Sequence, residues 1–395
     1  GSEMCIRDRD NMTKFKLKLS LSDLMFFIPY TLYFLSFFLE DLPLEGSWFT
    51  IIKLIRYLSY ALFMLDGVVI SRNVLNLKAV SILALLAVYV GIMLFTKDTY
   101  FLSLAVIVYT AQKVKIKKVF KVSYYLLIVF TAAVLLLVAA GVLENTNLIL
   151  NGRSRYTLGF YHSNVFPLIV FYIFAYRLIM GRVKKYEFIL WIAAAVMVFR
   201  VCNSRSGIIG MAAVIGLYLF FSVFNFNYKN FFIKFVFKYS FLWLSIFNFA
   251  MIILLPKRIH SVYMLNQMFT GRFALSYLKM RDLGFHFISL LPGSAFSSSR
   301  YVIDSGYSYV LLKYGLLFTL FYVVLQAKLF NKYKHRKEII FVYFGVTLTN
   351  FIDNDLFSYG FIPFILLAFS SDYKTDIKAI LAKLKIPGLK RLKLN

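Results

Sequence analysis

Cysteine is almost missing from this chain: Cys5 and Cys202 are the only two. Too few and too far apart, they exclude a disulfide framework and a cysteine-based zinc site, and give no indication of redox chemistry. With seven prolines and nineteen glycines, the chain is neither collagen-like nor a disordered low-complexity polymer. Acidic residues are scarce, 18 against 45 basic ones, a formal net charge of +27. The four histidines, His162, His260, His286 and His335, show no HExxH or HxH spacing, and no Asp-rich DxD run accompanies them, so no metal site is expected. Walker and GxGxxG loops are also missing, which removes ATP and dinucleotides as direct fuels. No cofactor is expected, and energy must come from a gradient or from the substrate itself.

What the chain has in abundance is hydrocarbon. Of 395 residues, 61% are apolar and 16% charged. A membrane-crossing helix takes about 20 apolar residues, so the apolar positions furnish roughly twelve spans and leave little for a soluble domain. The long unbroken runs exclude an outer-membrane barrel, whose strands alternate in polarity. The expected fold is therefore all-α: a polytopic membrane protein of about 12 transmembrane helices (10–12 allowed). Reading apolar runs against charged breaks places spans near 19–39, 47–71, 79–96, 99–112, 123–142, 165–180, 187–202, 207–224, 239–255, 307–330, 338–352 and 356–370. Residues 1–18 form a cytoplasmic N-terminus. Within it GSEMCIRDRDN is polar and unlike everything after it, whereas Met12 would be a natural start, so 1–11 read as non-native. Residues 19–370 form the transmembrane domain and 371–395 a basic cytoplasmic tail.

Charge placement sets the expected orientation. With the N-terminus inside, the inward loops hold Lys113, Lys115, Lys117, Lys118 and Lys121, then Arg182, Lys184 and Lys185, then Lys328, Lys332, Lys334, Arg336 and Lys337. The outward loops at 40–46 and 353–355 carry Glu40, Asp41, Glu45, Asp353 and Asp355 and no base, which satisfies the positive-inside rule. Most of the positive charge is thus a topology signal towards anionic lipid, and nucleic-acid binding is excluded. Two outward segments are longer: 143–164 and a large extracytoplasmic loop, 256–306.

The outward side is rich in arginine: Arg153, Arg155, Arg205, Arg258, Arg272, Arg281 and Arg300, against Lys97, Lys257 and Lys279. Topology needs only positive charge, so the change of residue type asks for another cause. Arginine offers a planar fork for bidentate phosphate contacts and stays charged at low dielectric. A set of external arginines therefore points to an oxyanion or pyrophosphate site, although each alone is equally explained by lipid phosphates or structural carboxylates. The stretch RSRYTLGFYHSN (153–164) groups Arg153, Arg155, His162 and Asn164. Ser163 or Asn164 would serve as a helix N-cap. NSRSG (203–207) joins two spans so tightly that Arg205 must sit at a membrane face, where it needs an anionic partner. TGR (270–272) precedes an amphipathic helix, FALSYLKMRDL. Asp304 is expected as an N-cap of the next span, with a general base as the sharper alternative.

In their order, GFYHSN, NSRSG, TGR and DSGYSYVLLKYG (304–315) resemble the polysaccharide polymerase and O-antigen ligase superfamily, specifically Wzy-type polymerases of O-antigen, capsule or exopolysaccharide. The resemblance spans most of residues 20–370. It implies a GT-C-like membrane glycosyltransferase in the bacterial cytoplasmic membrane with its active site facing outward. Undecaprenyl-pyrophosphate-linked oligosaccharide would be the substrate, membrane lipid the surroundings, and a flippase and a chain-length regulator possible partners. Carried over by position, Arg205, Arg272 and Asp304 are the catalytic candidates, and Arg153, Arg155, His162, Asn164, Arg281, Arg300 and Tyr307 the substrate-binding ones. The ligase branch has a histidine where this sequence has Asp304, which favours the polymerase and leaves open whether Asp304, His260 or His286 acts as base or whether leaving-group stabilisation makes a base dispensable. The alternatives are a lipid-linked oligosaccharide flippase or other transporter, a ligase of the same superfamily, and a rod-shape-type peptidoglycan glycosyltransferase.

Overall fold

The computed structural model describes residues 20–71, 100–150, 153–181, 183–223, 230–289, 291, 296, 301–354 and 358–369. The expected span at 79–96, the two terminal segments, Lys97 and Arg300 lie outside them. The described chain is mostly helical: α1 (Leu21–Glu40), α2 (Trp48–Ser71), α3 (Tyr100–Thr110), α4 (Ile116–Ala139), α5 (Val165–Met180), α6 (Lys185–Cys202), α7 (Ser206–Val223), α8 (Phe231–Lys238), α9 (Ser240–Leu254), α10 (His260–Met268), α11 (Arg272–Leu283), α12 (Gly306–Tyr314), α13 (Leu316–Tyr333), α14 (Lys337–Ile352) and α15 (Ile362–Phe369). Four stretches, Asp23–Glu40, Trp48–Gly67, Ile116–Ala139 and Ser240–Lys257, are long and apolar enough to cross a membrane, and Val165–Met180 and Gly207–Phe221 are shorter apolar helices. Among the described residues one two-stranded element stands beside the helices. β1 (Asn147–Leu150) and β2 (Arg153–Tyr156) form an antiparallel hairpin with Asn147 opposite Tyr156 and Leu148 opposite Arg155.

The run expected as one span, 307–330, is two helices. Gly315 takes φ +92°, and a Cβ there would sit 2.7 Å from the carbonyl oxygen of Phe287. Backbone from the segment before α12 fills the break: Leu316 N–H donates to His286 O (3.2 Å), Leu317 N–H to Phe287 O (3.0 Å) and Ser289 N–H to Tyr314 O (3.2 Å). Irregular backbone in an apolar body persists only when its polar groups are satisfied internally. Gly315 supplies both the conformation and the room. A second break, between α8 and α9, is served by Gln326 of α13, which accepts from Phe241 N–H (2.7 Å) and donates to Phe237 O (3.0 Å).

Helices α5, α7 and α14 pack at close range. A Cβ on Gly207 would lie 2.1 Å from Pro167 O, and one on Gly210 would lie 2.6 Å from a methyl of Thr349. Small residues let apolar helices close to backbone distance, where dispersion and weak polar contacts replace the missing hydrophobic drive. The ends of these three helices carry Asn164, Arg205 and Asp353. The opposite ends of α5 and α14 carry basic contacts, Arg177 to Glu187 (2.8 Å) and Arg336 to Ile179 O (3.4 Å).

Gly207→Ala is expected to push α7 off α5 and cost about 1–3 kcal/mol, as overpacking does; the readout is the thermal midpoint in detergent, and an unchanged midpoint would refute the close contact. A second expectation concerns Asp41, just past α1, whose backbone carbonyl accepts from Tyr161 N–H (2.7 Å). Burial pushes its carboxyl up to about 7 from 3.8, with the Tyr359 hydroxyl opposing and Glu40 adding to the rise. The folded chain then holds the proton that the unfolded chain releases, so stability falls as pH rises from 3.8 through about 7. Asp41→Asn should flatten that fall; an unaltered pH slope would show that Asp41 is not its source.

Candidate active site

The site grows from two unusual turns. Helix α10 ends in a Schellman motif, with Thr270 N–H donating to Gln267 O (2.9 Å) and Gly271 N–H to Asn266 O (2.8 Å). The residue at the left-handed position is Thr270, at φ +56°, where glycine is usual. Holding a β-branched residue there costs on the order of 1–3 kcal/mol, which the surrounding structure must offset. Part of the offset is visible: Asn266 Oδ1 accepts from Ala274 N–H (3.1 Å) and so caps α11. Arg272 emerges at the first position of that helix. The α6–α7 junction repeats the device, with Asn203 at φ +46° two residues before Arg205.

Two adjoining cavities, of about 220 and 410 Å³, share Arg155, Asn164, Thr270 and Arg272. Arg205 and Met268 line the smaller; His162, Asp304 and Asp353 line the larger. Arg155 arrives from β2, which packs with its hairpin against α6. Arg205 Nη1 donates to Met268 O (3.3 Å), tying the α6–α7 junction to the end of α10. Arg272 is 13% exposed and touches two carboxylates: its Nε lies 3.3 Å from Asp304 Oδ2 and its Nη2 3.9 Å from Asp353 Oδ1.

Two cap expectations are overturned here. Asn164 stands at the N-cap position of α5, but its side chain caps nothing. Instead its Nδ2 donates to Asp353 Oδ1 (3.2 Å) and its Oδ1 accepts from Ser204 Oγ (2.7 Å), so one amide joins α5, α14 and the NSRSG junction. Ser163 does not cap either; it is fully buried. Asp304 is likewise no cap, since Ser305 holds the N-cap position of α12 and the Asp304 carboxylate accepts from Arg272. In both cases a charged or polar partner from another element won over the local backbone, because the hydrogen bond to a buried, charged group is worth more than a solvent-exposed cap.

The remaining candidates divide. His162 lines the larger cavity and its Nδ1 accepts from Asn164 N–H (3.2 Å). Arg153 opens β2, two residues from Arg155. Arg281 lies at the other end of α11, exposed and 3.8 Å from its neighbour Asp282. Tyr307, expected to meet substrate, is buried, packed against Phe241 and donating to Thr347 O (2.8 Å); it lines neither cavity. Lys279 is also removed from the site. Its ammonium sits 3.8 Å above the Phe296 ring and donates to Tyr301 O (2.9 Å), and burial, with Lys313 nearby, holds its pKa below the usual lysine value. Asp353 is the residue that the sequence reading passed over, treating it as one more outward acid.

Four helix N-termini (α5, α7, α11, α12) and three C-termini (α6, α10, α14) meet at the cavities. Their dipoles largely offset one another, so the guanidinium groups set the sign. Among the described residues, three guanidiniums against two carboxylates leave a formal +1. The arrangement suits an anion with several oxygens in line, bound at the boundary of an apolar body. No family model, curated protein or solved structure matches this chain.

Asn164→Ala is expected to strand buried polar groups on Asp353 and Ser204 and cost about 1–3 kcal/mol of stability. Asn164→Asp, which adds a carboxylate facing Asp353, should cost more at neutral pH than at pH 4; equal losses at both would argue against direct contact.

Proposed function

We propose that this chain is a membrane polysaccharide polymerase, a glycosyltransferase that moves a growing glycan from a polyprenyl pyrophosphate to the sugar hydroxyl of a lipid-linked repeat unit. The observation that carries this reading is the convergence of Arg155, Arg205 and Arg272, from three separate elements, on adjoining cavities. A scattered set of arginines meeting lipid phosphates would not require a left-handed threonine, a shared amide and a backbone-close helix trio to bring them together. The basic contacts at the far ends of α5 and α14 support a cytoplasmic membrane orientation with these cavities outward. The twelve-span, GT-C-like scaffold belongs to the same reading.

On this reading the guanidiniums do the principal work. As the anomeric carbon separates from the pyrophosphate, negative charge grows on the leaving oxygen, and preorganised cations beside it stabilise the transition state more than the ground state. Arg272, 13% exposed, lining both cavities and paired to both carboxylates, is the leading group. Asn164 and Ser204 fix its surroundings, and His162 and Asp304 face the space where an acceptor hydroxyl would lie. The large extramembrane segment, with α10 and α11, supplies the wall that carries Arg272.

The test is complementation in a strain whose surface glycan length is visible on a gel. Arg272→Ala is expected to lower polymerisation by about 10²–10³-fold, removing long chains while single repeat units stay on their carrier. Arg281→Ala, outside the cavities, should leave chain length intact. Persistence of long chains in the Arg272 variant would refute the site, and loss of all surface-exposed repeat units would favour a flippase.

A further inference from the structure

Arg272 is held by two acids that are not equivalent. The Asp353 side chain is 13% exposed, also accepts from Asn164, and its backbone carbonyl accepts from Gly306 N–H (3.3 Å). The Asp304 side chain is 42% exposed and accepts from the Nε of Arg272. Nε–H is one prong of the fork that arginine uses for bidentate contact with a phosphate. A diphosphate entering the shared cavity competes for that prong. Asp304 can give it up, because water can solvate the released carboxylate. Asp353 gives up the pair at greater cost, since its carboxylate is far less open to water.

We infer that Arg272 is a substrate-operated relay: the donor diphosphate takes its Nε from Asp304, and the Asp304 carboxylate, no longer neutralised by that guanidinium, then receives the acceptor's proton. The inference rests on the diphosphate reading above and adds an order of events to it. The acceptor hydroxyl oxygen forms a bond to the anomeric carbon of the donor glycan. The bond from that carbon to the diphosphate oxygen breaks, and its electron pair leaves on the diphosphate beside Arg272. The hydroxyl proton passes to Asp304 and from there to water. The products are the lengthened glycan and free polyprenyl diphosphate. An empty site keeps its base engaged, so an acceptor arriving without a donor is not activated.

The prediction separates binding from turnover. The full chain in phosphatidylcholine nanodiscs is titrated with undecaprenyl diphosphate, undecaprenyl monophosphate and inorganic pyrophosphate. Asp304→Asn removes the competitor and should tighten undecaprenyl diphosphate about threefold at low salt, with the gain shrinking as salt screens the pair. Its turnover on lipid-linked repeat units should fall about 10²-fold or more. Asp304→Ser should show the same tightening, and Asp304→Glu, which keeps the charge, should not. Unchanged or weaker diphosphate binding in folded Asn and Ser variants would overturn the relay and make Asp304 a support for Arg272. A native chain that does not prefer diphosphate to monophosphate would instead overturn the proposed function itself, and tight binding of inorganic pyrophosphate alone would assign the recognition to the diphosphate rather than the lipid.

Discussion

A guanidinium that is mostly out of water must be paid back in contacts, and Arg272 shows how much structure that requires. Removing one partner from a buried ion pair costs about 3–5 kcal/mol, because the charge left behind is neither solvated nor neutralised. Asp353 answers that demand, and Asp353 in turn needs the Asn164 amide. Asn164 needs Ser204, which lies next to Arg205 in the α6–α7 junction. These polar groups are thus tied to one another across separate elements, and the chain of contacts links the ends of α5, α7, α11 and α14.

That network cannot form unless the helices that carry it come close. The glycines of α7 permit the approach, with backbone and side-chain atoms where any larger residue would project. Packing and electrostatics therefore act in sequence. Apolar burial and small-residue contacts set the helices within reach, and the polar network at their ends selects a single register. The strained Thr270 turn is the third member of this arrangement, since it aims Arg272 at acids contributed by the neighbouring α12 and α14 ends.

Much of this was legible in the amino-acid pattern, and the exceptions have physical reasons. The apolar runs that predict 19–39 and 239–255 correspond to α1 and α9, and the amphipathic run after TGR to α11, because long stretches of one character leave little choice. The run at 307–330 is equally apolar, yet it breaks at Gly315, where a distant strand of backbone enters. Periodicity carries no information about such a partner. The β1–β2 pair was missed for a related reason: two strands of four residues each give a weak signal beside helical neighbours. At the site, the arginines stood out by residue type alone. The roles of Asn164 and Asp304 did not, since a cap is a local rule and each of these side chains is claimed by a residue more than thirty positions away.

The presence of two acids among three arginines bears on turnover as well as stability. On the glycosyl-transfer reading, the leaving lipid diphosphate carries the same charged group as the donor. A cavity of three unopposed guanidiniums would bind both tightly and release the product slowly, and uniform tightness adds nothing to the chemical step. On that reading Asp304, returning to Arg272, lowers the affinity for donor and product alike, while the charge that develops only as the glycosidic bond breaks still meets the full guanidinium. The acids facing Arg272 therefore do not contradict a phosphate site. On the same reading they are what lets a cluster of three arginines release its product.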